Sequence, residues 1–180
     1  MSASPTAAVL LIGDEILSGR TKDKNLGFIA DCLTTLGIDL REGRIVPDVE
    51  DEIVAAVNAL RSRYTYVFTT GGIGPTHDDI TADAIAKAFG VPIDHHPDAL
   101  AILLPWFKEI GREPNEARMR MARVPQGASL IANPVSKAPG FQIGNVFVMA
   151  GIPKIMQAMM EDVARRLAPG VPVRSVAITV

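Results

Sequence analysis

The run YTYVFTTGGIGPTHDDIT, from Tyr64 to Thr81, is the stretch whose reading decides the fold class. Its first part, Tyr64–Thr69, is β-branched and aromatic, which suits a pleated, buried strand. Gly71, Gly72 and Gly74 then break the strand into a tight turn, and a helix is predicted from about Ile80 to Phe89. Strand, glycine-rich turn and helix in that order are part of a βαβ arrangement.

The same pattern continues on both sides. Ala7–Ile12 is an apolar run closed by Gly13, as expected of a strand buried on both faces. Leu26, Ile29, Ala30, Leu33 and Leu36 form one stripe of a predicted helix over Asn25–Leu36, ended by Gly37. Ile38–Val46 reads as a second strand, and Asp48 as the cap of a helix over Val49–Arg61. Beyond Phe89, Pro97–Gly111 is expected as a helix interrupted at Pro105, and Asn115–Arg123 as a short basic helix. Phe141–Ile143 and Val146–Met149 flank Gly144-Asn145 as a small β-hairpin. A helix over Lys154–Leu167 and a strand over Arg174–Val180 complete the chain. The order predicts an α/β fold of three layers, α/β/α and Rossmann-like, with a mostly parallel sheet, right-handed crossovers and helices on both faces. Without a repeat or linker, residues 1–180 read as a single domain.

Composition narrows the class of partner. At 180 residues with 48% hydrophobic and 21% charged side chains, the chain has the make-up of a globular protein. No apolar run approaches the ~18 residues that span a bilayer, and the start reads as a strand, not a signal peptide. Cys32 is the single cysteine, which fits a reducing, cytoplasmic setting. A net charge of −2, with no stripe of Lys and Arg, argues against nucleic acid as partner.

Turns that follow strands of an open parallel sheet gather along one edge, where ligands bind. Three such turns are expected: Gly13-Asp14-Glu15, Gly71–Asp79 and Gly151-Ile152-Pro153. In the second, the glycines let backbone N–H groups approach an anion, the following helix points its positive end at it, and Thr76 offers a hydroxyl. A plain tight connection would use the same glycines. Asp78 and Asp79 add carboxylates that suit Mg²⁺, with Asp14 and Glu15 as further metal or sugar ligands. One aspartate, Asp79 in preference, is expected to serve mainly as a helix cap. His77 could contact phosphate or merely fill a variable position. His95 and His96 both read as surface or cap residues, Cys32 as a small core residue, and Arg118, Arg120 and Arg123 as a solvated face that could also reach a ligand or a neighbouring subunit.

These segments carry a resemblance. GDEIL at 13–17 with Gly19 and Asn25, GGIGPTHDDIT at 71–81, Asn133-Pro134 with Ala138-Pro139-Gly140-Phe141, and Gly151-Ile152-Pro153 resemble the molybdopterin-binding (MoaB/Mog-like) superfamily. They look most like the N-terminal domain of competence/damage-inducible, CinA-type proteins. The resemblance implies a MoaB/Mog-like fold, a homo-oligomer (a trimer) and a link to molybdenum cofactor biosynthesis. It also implies a phosphate-bearing small-molecule ligand, molybdopterin or an adenine nucleotide. On the matching positions it places ligand contacts at Gly13, Glu15, Gly71, Gly72, Gly74, Pro75, Thr76, Asp79, Ser136, Pro139, Gly140, Gly151 and Pro153. Asp78 and Asp14 would be the catalytic and metal-linked residues if Mg²⁺ is used.

Relatives of this kind transfer an adenylyl group or hydrolyse nucleotide pyrophosphates such as ADP-ribose. Two departures bear on that. Ile155 stands where the CinA-type pattern has an acid, beside Lys154, and Ser136-Lys137 replace Gly-Thr. Both favour holding an anion over assembling metals. Ligand binding with little turnover is therefore the first expectation, Mg²⁺- or Co²⁺-dependent pyrophosphohydrolase or adenylyl transfer the second, and a non-catalytic assembly module the third. The matched segments are those of the N-terminal domain, so the deamidase activity of the C-terminal domain in full-length relatives is not carried over.

Overall fold

In a computed structural model, residues 4–170 are described. The predicted strand over 174–180 lies outside them. The main sheet has six strands in the order β2-β1-β3-β8-β7-β6. Its parallel half is β1 (Thr6–Ile12), β2 (Asp39–Val46), β3 (Tyr66–Thr70) and β8 (Val146–Met149), and β7 (Gly140–Ile143) and β6 (Ser129–Ile131) pair antiparallel at one side. β7 and β8 are the expected hairpin.

Helices cover both faces. On one side lie α3 (Glu50–Arg63) and α4 (Thr81–Phe89); on the other lie α2 (Asn25–Thr35) and α7 (Pro153–Ala164). The alternation of β1 explains why. Ala8, Leu10 and Ile12 point to α3 and α4, while Ala7, Val9 and Leu11 point to α2 and α7. Each of these six is almost wholly buried, so the strand has no polar face to offer. Phe68 and Phe147, neighbours on β3 and β8, stack at 5.3 Å between ring centres on the α2/α7 side.

The middle of the chain departs from expectation. α5 (Pro97–Glu109) runs through Pro105 without interruption. Pro105 and Ala101, whose carbonyl loses its helical partner, both face water, so solvent satisfies what the ring removes. The expected basic helix over Asn115–Arg123 is three short pieces: α6 (Glu116–Met119), a 3-10 turn at Arg120–Ala122 and β5 (Arg123–Pro125). β5 pairs antiparallel with β4 (Ile93–His95) in a separate two-stranded sheet. Leu103 and Phe107 of α5 pack with Ala122 in a small core of their own. α1 (Asp14–Leu17) is a single turn after β1. Among the described residues, no helix is long and apolar enough to cross a membrane.

Candidate functional site

The three expected turns do meet, because β1, β3 and β8 are adjacent and parallel. Gly71 has φ +100° and a side chain there would collide with the Ile12 carbonyl; Gly72 has φ +75° and would collide with Thr81. A Cβ on Gly151 would lie 3.2 Å from the Gly71 Cα. The backbone bends sharply here because the neighbouring turns press on it, and only glycine fits. Thr81 closes the bend: its hydroxyl donates to the Gly71 carbonyl at 2.9 Å and its N–H to the Gly72 carbonyl at 3.0 Å. The N–H groups of Gly72, Ile73 and Gly74 donate to no acceptor among the described residues.

Asp79 is not the helix cap expected of it. Ile80 stands at the N-cap of α4 without a side-chain bond, and Asp79 Oδ2 instead accepts from both the N–H and the hydroxyl of Thr76, each at 2.8 Å. The Thr76 donors expected to meet a phosphate are therefore occupied by a carboxylate of the same loop. A Cβ on Gly74 would sit 2.8 Å from that oxygen, so Gly74 makes room for the clasp. Asp78 turns away: its side chain is 76% exposed, with Oδ1 3.3 Å from Nε2 of the equally open His77. The two aspartates do not form a pair.

Asp83, one turn beyond Asp79 in α4, does not join the other carboxylates. Its carboxylate takes Arg123 in a forked pair at 2.8 and 3.3 Å, with Arg120 at 3.7 Å. The sequence spreads these arginines around one helix. The 3-10 turn and β5 bring Arg120 and Arg123 to one side, and with Gly72, Ile73, Gly74 and Pro139 they line a recess. Two guanidiniums on one carboxylate leave that wall positive, facing the Asp79 carboxylate in the same recess. Sequence reasoning missed it because the helix ends at Met119.

Asp14 is tied to a residue that was read only as a helix cap. Asp14 N–H donates to Asp48 Oδ2 at 3.2 Å, and Asp48 N–H returns the bond to Asp14 Oδ1 at 3.0 Å. Val49, not Asp48, is the N-cap of α3. Burial, followed by the nearby carboxylates of Asp14, Glu15 and Asp79, pushes the Asp48 carboxyl above its usual range, against the pull of the Asp14 N–H. Acids thus crowd this end of the sheet. Among the described residues, however, no group of three or more His, Cys, Asp or Glu is placed to hold a metal ion.

The remaining expected residues divide. Ser136 Oγ accepts from Asn133 Nδ2 at 2.7 Å, and Asn133 also holds the Ala138 carbonyl, so Ser136 shapes its own turn. Lys137 follows at φ +66°. Gly140 is a packing glycine, since a side chain would strike the Val148 carbonyl. Pro75 is exposed on the loop, and Gly13 carries the Glu15 carboxylate folded over it. Glu15, Gly151 and Pro153 line a second recess on the α2/α7 side. Ile155 is partly buried in the apolar layer there. The Cys32 thiol is pushed up by burial and by Asp31, away from a reactive thiolate.

Fold and turns define an open α/β protein whose glycine-bearing turns gather at the carboxyl ends of its strands. The chain belongs to the family described as "Probable molybdopterin binding domain", whose model matches residues 8–169. It is 40% identical over 159 residues to a CinA-like protein of Citrifermentans bemidjiense, covering 86% of this chain and 38% of that protein. A protein of Aeropyrum pernix is 36% identical over 171 residues, covering 93% of this chain and 64% of its own length. The chain therefore spans less than two thirds of these relatives. The crystal structure of CinA from Thermoplasma acidophilum superposes with a TM-score of 0.83 at 35% identity, covering 92% of this chain and 99% of that one. The molybdopterin biosynthesis enzyme MoaB of Thermus thermophilus shares the fold at 18% identity, covering 91% of each chain with a TM-score of 0.59.

Proposed function

We propose that this chain is a single domain that binds a phosphate-bearing small molecule, molybdopterin or an adenine nucleotide, with Gly71–Asp79 as the anion cradle. The observation that carries the reading is the turn itself. Gly71 and Gly72 are held at positive φ where no side chain fits, and the next N–H groups are left without acceptors. Such amides, close to the start of α4, favour an anion. The Arg120–Arg123 wall across the recess supplies the positive charge, and the family to which the chain belongs supports the pterin. Relevance to molybdenum cofactor biosynthesis follows from the same membership. Isothermal titration with AMP, ADP and molybdopterin tests it, and no heat at millimolar ligand would remove it.

The crowding of Asp14, Glu15, Asp48 and Asp79 favours a second reading, a metal-dependent pyrophosphohydrolase or adenylyl transferase. Mg²⁺ needs only one or two protein carboxylates when ligand phosphates and water fill its shell, and exposed Asp78 is free to swing to it. Release of AMP from ADP-ribose or FAD, lost in chelator and in Asp78→Ala, is the required result. The reading also includes a cytoplasmic homo-oligomer, a trimer by family; light scattering that finds only monomer at micromolar concentration would overturn the assembly.

A further inference from the structure

Between Asp98 and Lys108 every residue of α5 is apolar or aromatic. Ala99, Leu103 and Phe107 are buried on the side that packs with Ala122. On the other side Ile102 and Leu104 are each 41% exposed, and Ala101 and Pro105 are exposed between them. A helix that is apolar all round is ordinarily covered all round. The outward row also has an order. Asp98, Ala101, Pro105 and Lys108 recur at intervals of three, four and three, which keeps them on one side of the helix, and all four are exposed. Among the described residues neither Asp98 nor Lys108 has an ion-pair partner.

That spacing reads the same in both directions. A second α5 laid antiparallel on the row sets Asp98 against a lysine and Ala101 against a proline of the other copy, and a two-fold axis repeats both contacts. Small side chains at the centre let the helices approach, while Ile102 and Leu104 on the two flanks each meet their own counterpart. At the carboxyl-terminal end Arg112 folds back, its N–H on the Phe107 carbonyl at 2.8 Å, so Lys108 and Arg112 outweigh Glu109 where Asp98 would arrive. Antiparallel helix dipoles favour the same arrangement. The Ala101 carbonyl freed by Pro105 can keep a bridging water, as polar atoms in such contacts commonly do. A lipid surface or a nucleic acid would need a basic rim, which Asp98 and Glu109 break. We propose that the outer face of α5 is a self-docking surface whose partner is a second copy of this chain, paired antiparallel about a two-fold axis. The contact is one helix long, about 20 Å, so the association is a weak one. It uses no residue of the glycine turns and does not rest on the ligand reading.

Sedimentation equilibrium at high micromolar concentration, on the wild type and three variants, tests the assignment. The wild type should associate in even multiples of its mass. Ala101→Glu keeps a good helix former at an exposed position but places a charge in the seam, and should halve the mass without lowering the melting temperature. Lys108→Asp sets two acids together at each end and should weaken association at least about fivefold. Asp98→Lys combined with Lys108→Asp reverses each pair and should recover that loss, which a merely structural effect of either change would not do. A wild type found only as monomer or only as trimer would overturn the proposal. So would a mass unchanged in Ala101→Glu, or a double variant no stronger than Lys108→Asp alone. A fall from six copies to three in Ala101→Glu keeps both this contact and the proposed trimer; a fall from two to one keeps this contact and removes the trimer.

Discussion

In the β3–α4 turn and the first turn of α4, Asp79 and Asp83 are each met by donors or cations, whereas at the ends of β1 and β2 Asp14 and Asp48 are set against each other. The first arrangement neutralises acids beside the proposed anion cradle and keeps the arginine wall positive. The second gives each carboxylate only the other's backbone N–H; burial, and after it the repulsion of Asp14, Glu15 and Asp79, pushes the Asp48 carboxyl up. One edge of the sheet thus has a half built to receive negative charge and a half loaded with it. The proposed phosphate belongs on the first half, and a cation would be drawn toward the second.

Gly72→Val should have the largest effect. A branched side chain at φ +75° strikes Thr81, so affinity for phosphate ligands should fall at least about 100-fold by titration, a loss of about 3 kcal/mol. Unchanged affinity would mean that the receiving half is elsewhere. Asp83→Ala should follow. It strips two arginines of their partner and should cost about 1–3 kcal/mol of stability in urea unfolding, while phosphate affinity rises because the wall gains charge. A fall in both would make Asp83 a ligand contact instead.

Lys137→Gly tests a smaller point. A non-glycine residue at φ +66° carries strain of about 1 kcal/mol, so glycine should raise the unfolding midpoint slightly without touching affinity. Asp79→Asn should be milder still. An amide oxygen can accept both Thr76 donors, so the loop should keep its shape and bind phosphate a fewfold better with one negative charge gone. Weaker binding would show that Asp79 itself holds the ligand.

Asp48→Asn should change a slope more than a value. An acid whose pKa is raised in the folded state holds its proton more tightly there. Folded stability is then lost as pH rises from the ordinary 3.8 through the raised value. The asparagine variant should flatten that decline in melting temperature against pH. An identical profile would mean that neither burial nor the neighbouring carboxylates raise Asp48.

Much of the sheet could be read from the sequence, since β1 and β3 are long apolar or β-branched runs closed by glycine. The gathering of the turns after β1, β3 and β8 was equally legible, because parallel neighbours must end on one side. The three-residue strands β4, β5 and β6 were not foreseen, being too short to show alternation and made by partners distant in sequence. The same limit hid the positive wall: Arg123 meets Asp83 across 40 positions, after a helix that stops early. Asp48 was misread because a residue just before a helix looks like a cap, and only the adjacency of β1 and β2 shows that Asp14 takes it. Asn25 carries part of the family resemblance and Thr70 precedes the glycine turn, but only the structure shows that both are buried.

The close contact of Gly71 with Gly151 also bears on how the chain is made. β3 emerges early in synthesis, but its neighbour β8 follows only after nearly eighty further residues. At 5–20 residues per second the wait is roughly 4–16 s, during which one long edge of β3 has no partner. Until β8 arrives the glycine bend has nothing pressing on it from that side and Asn25 has no Gly151 carbonyl to hold. A growing chain therefore completes the proposed cradle late and all at once, when β8 pairs with β3.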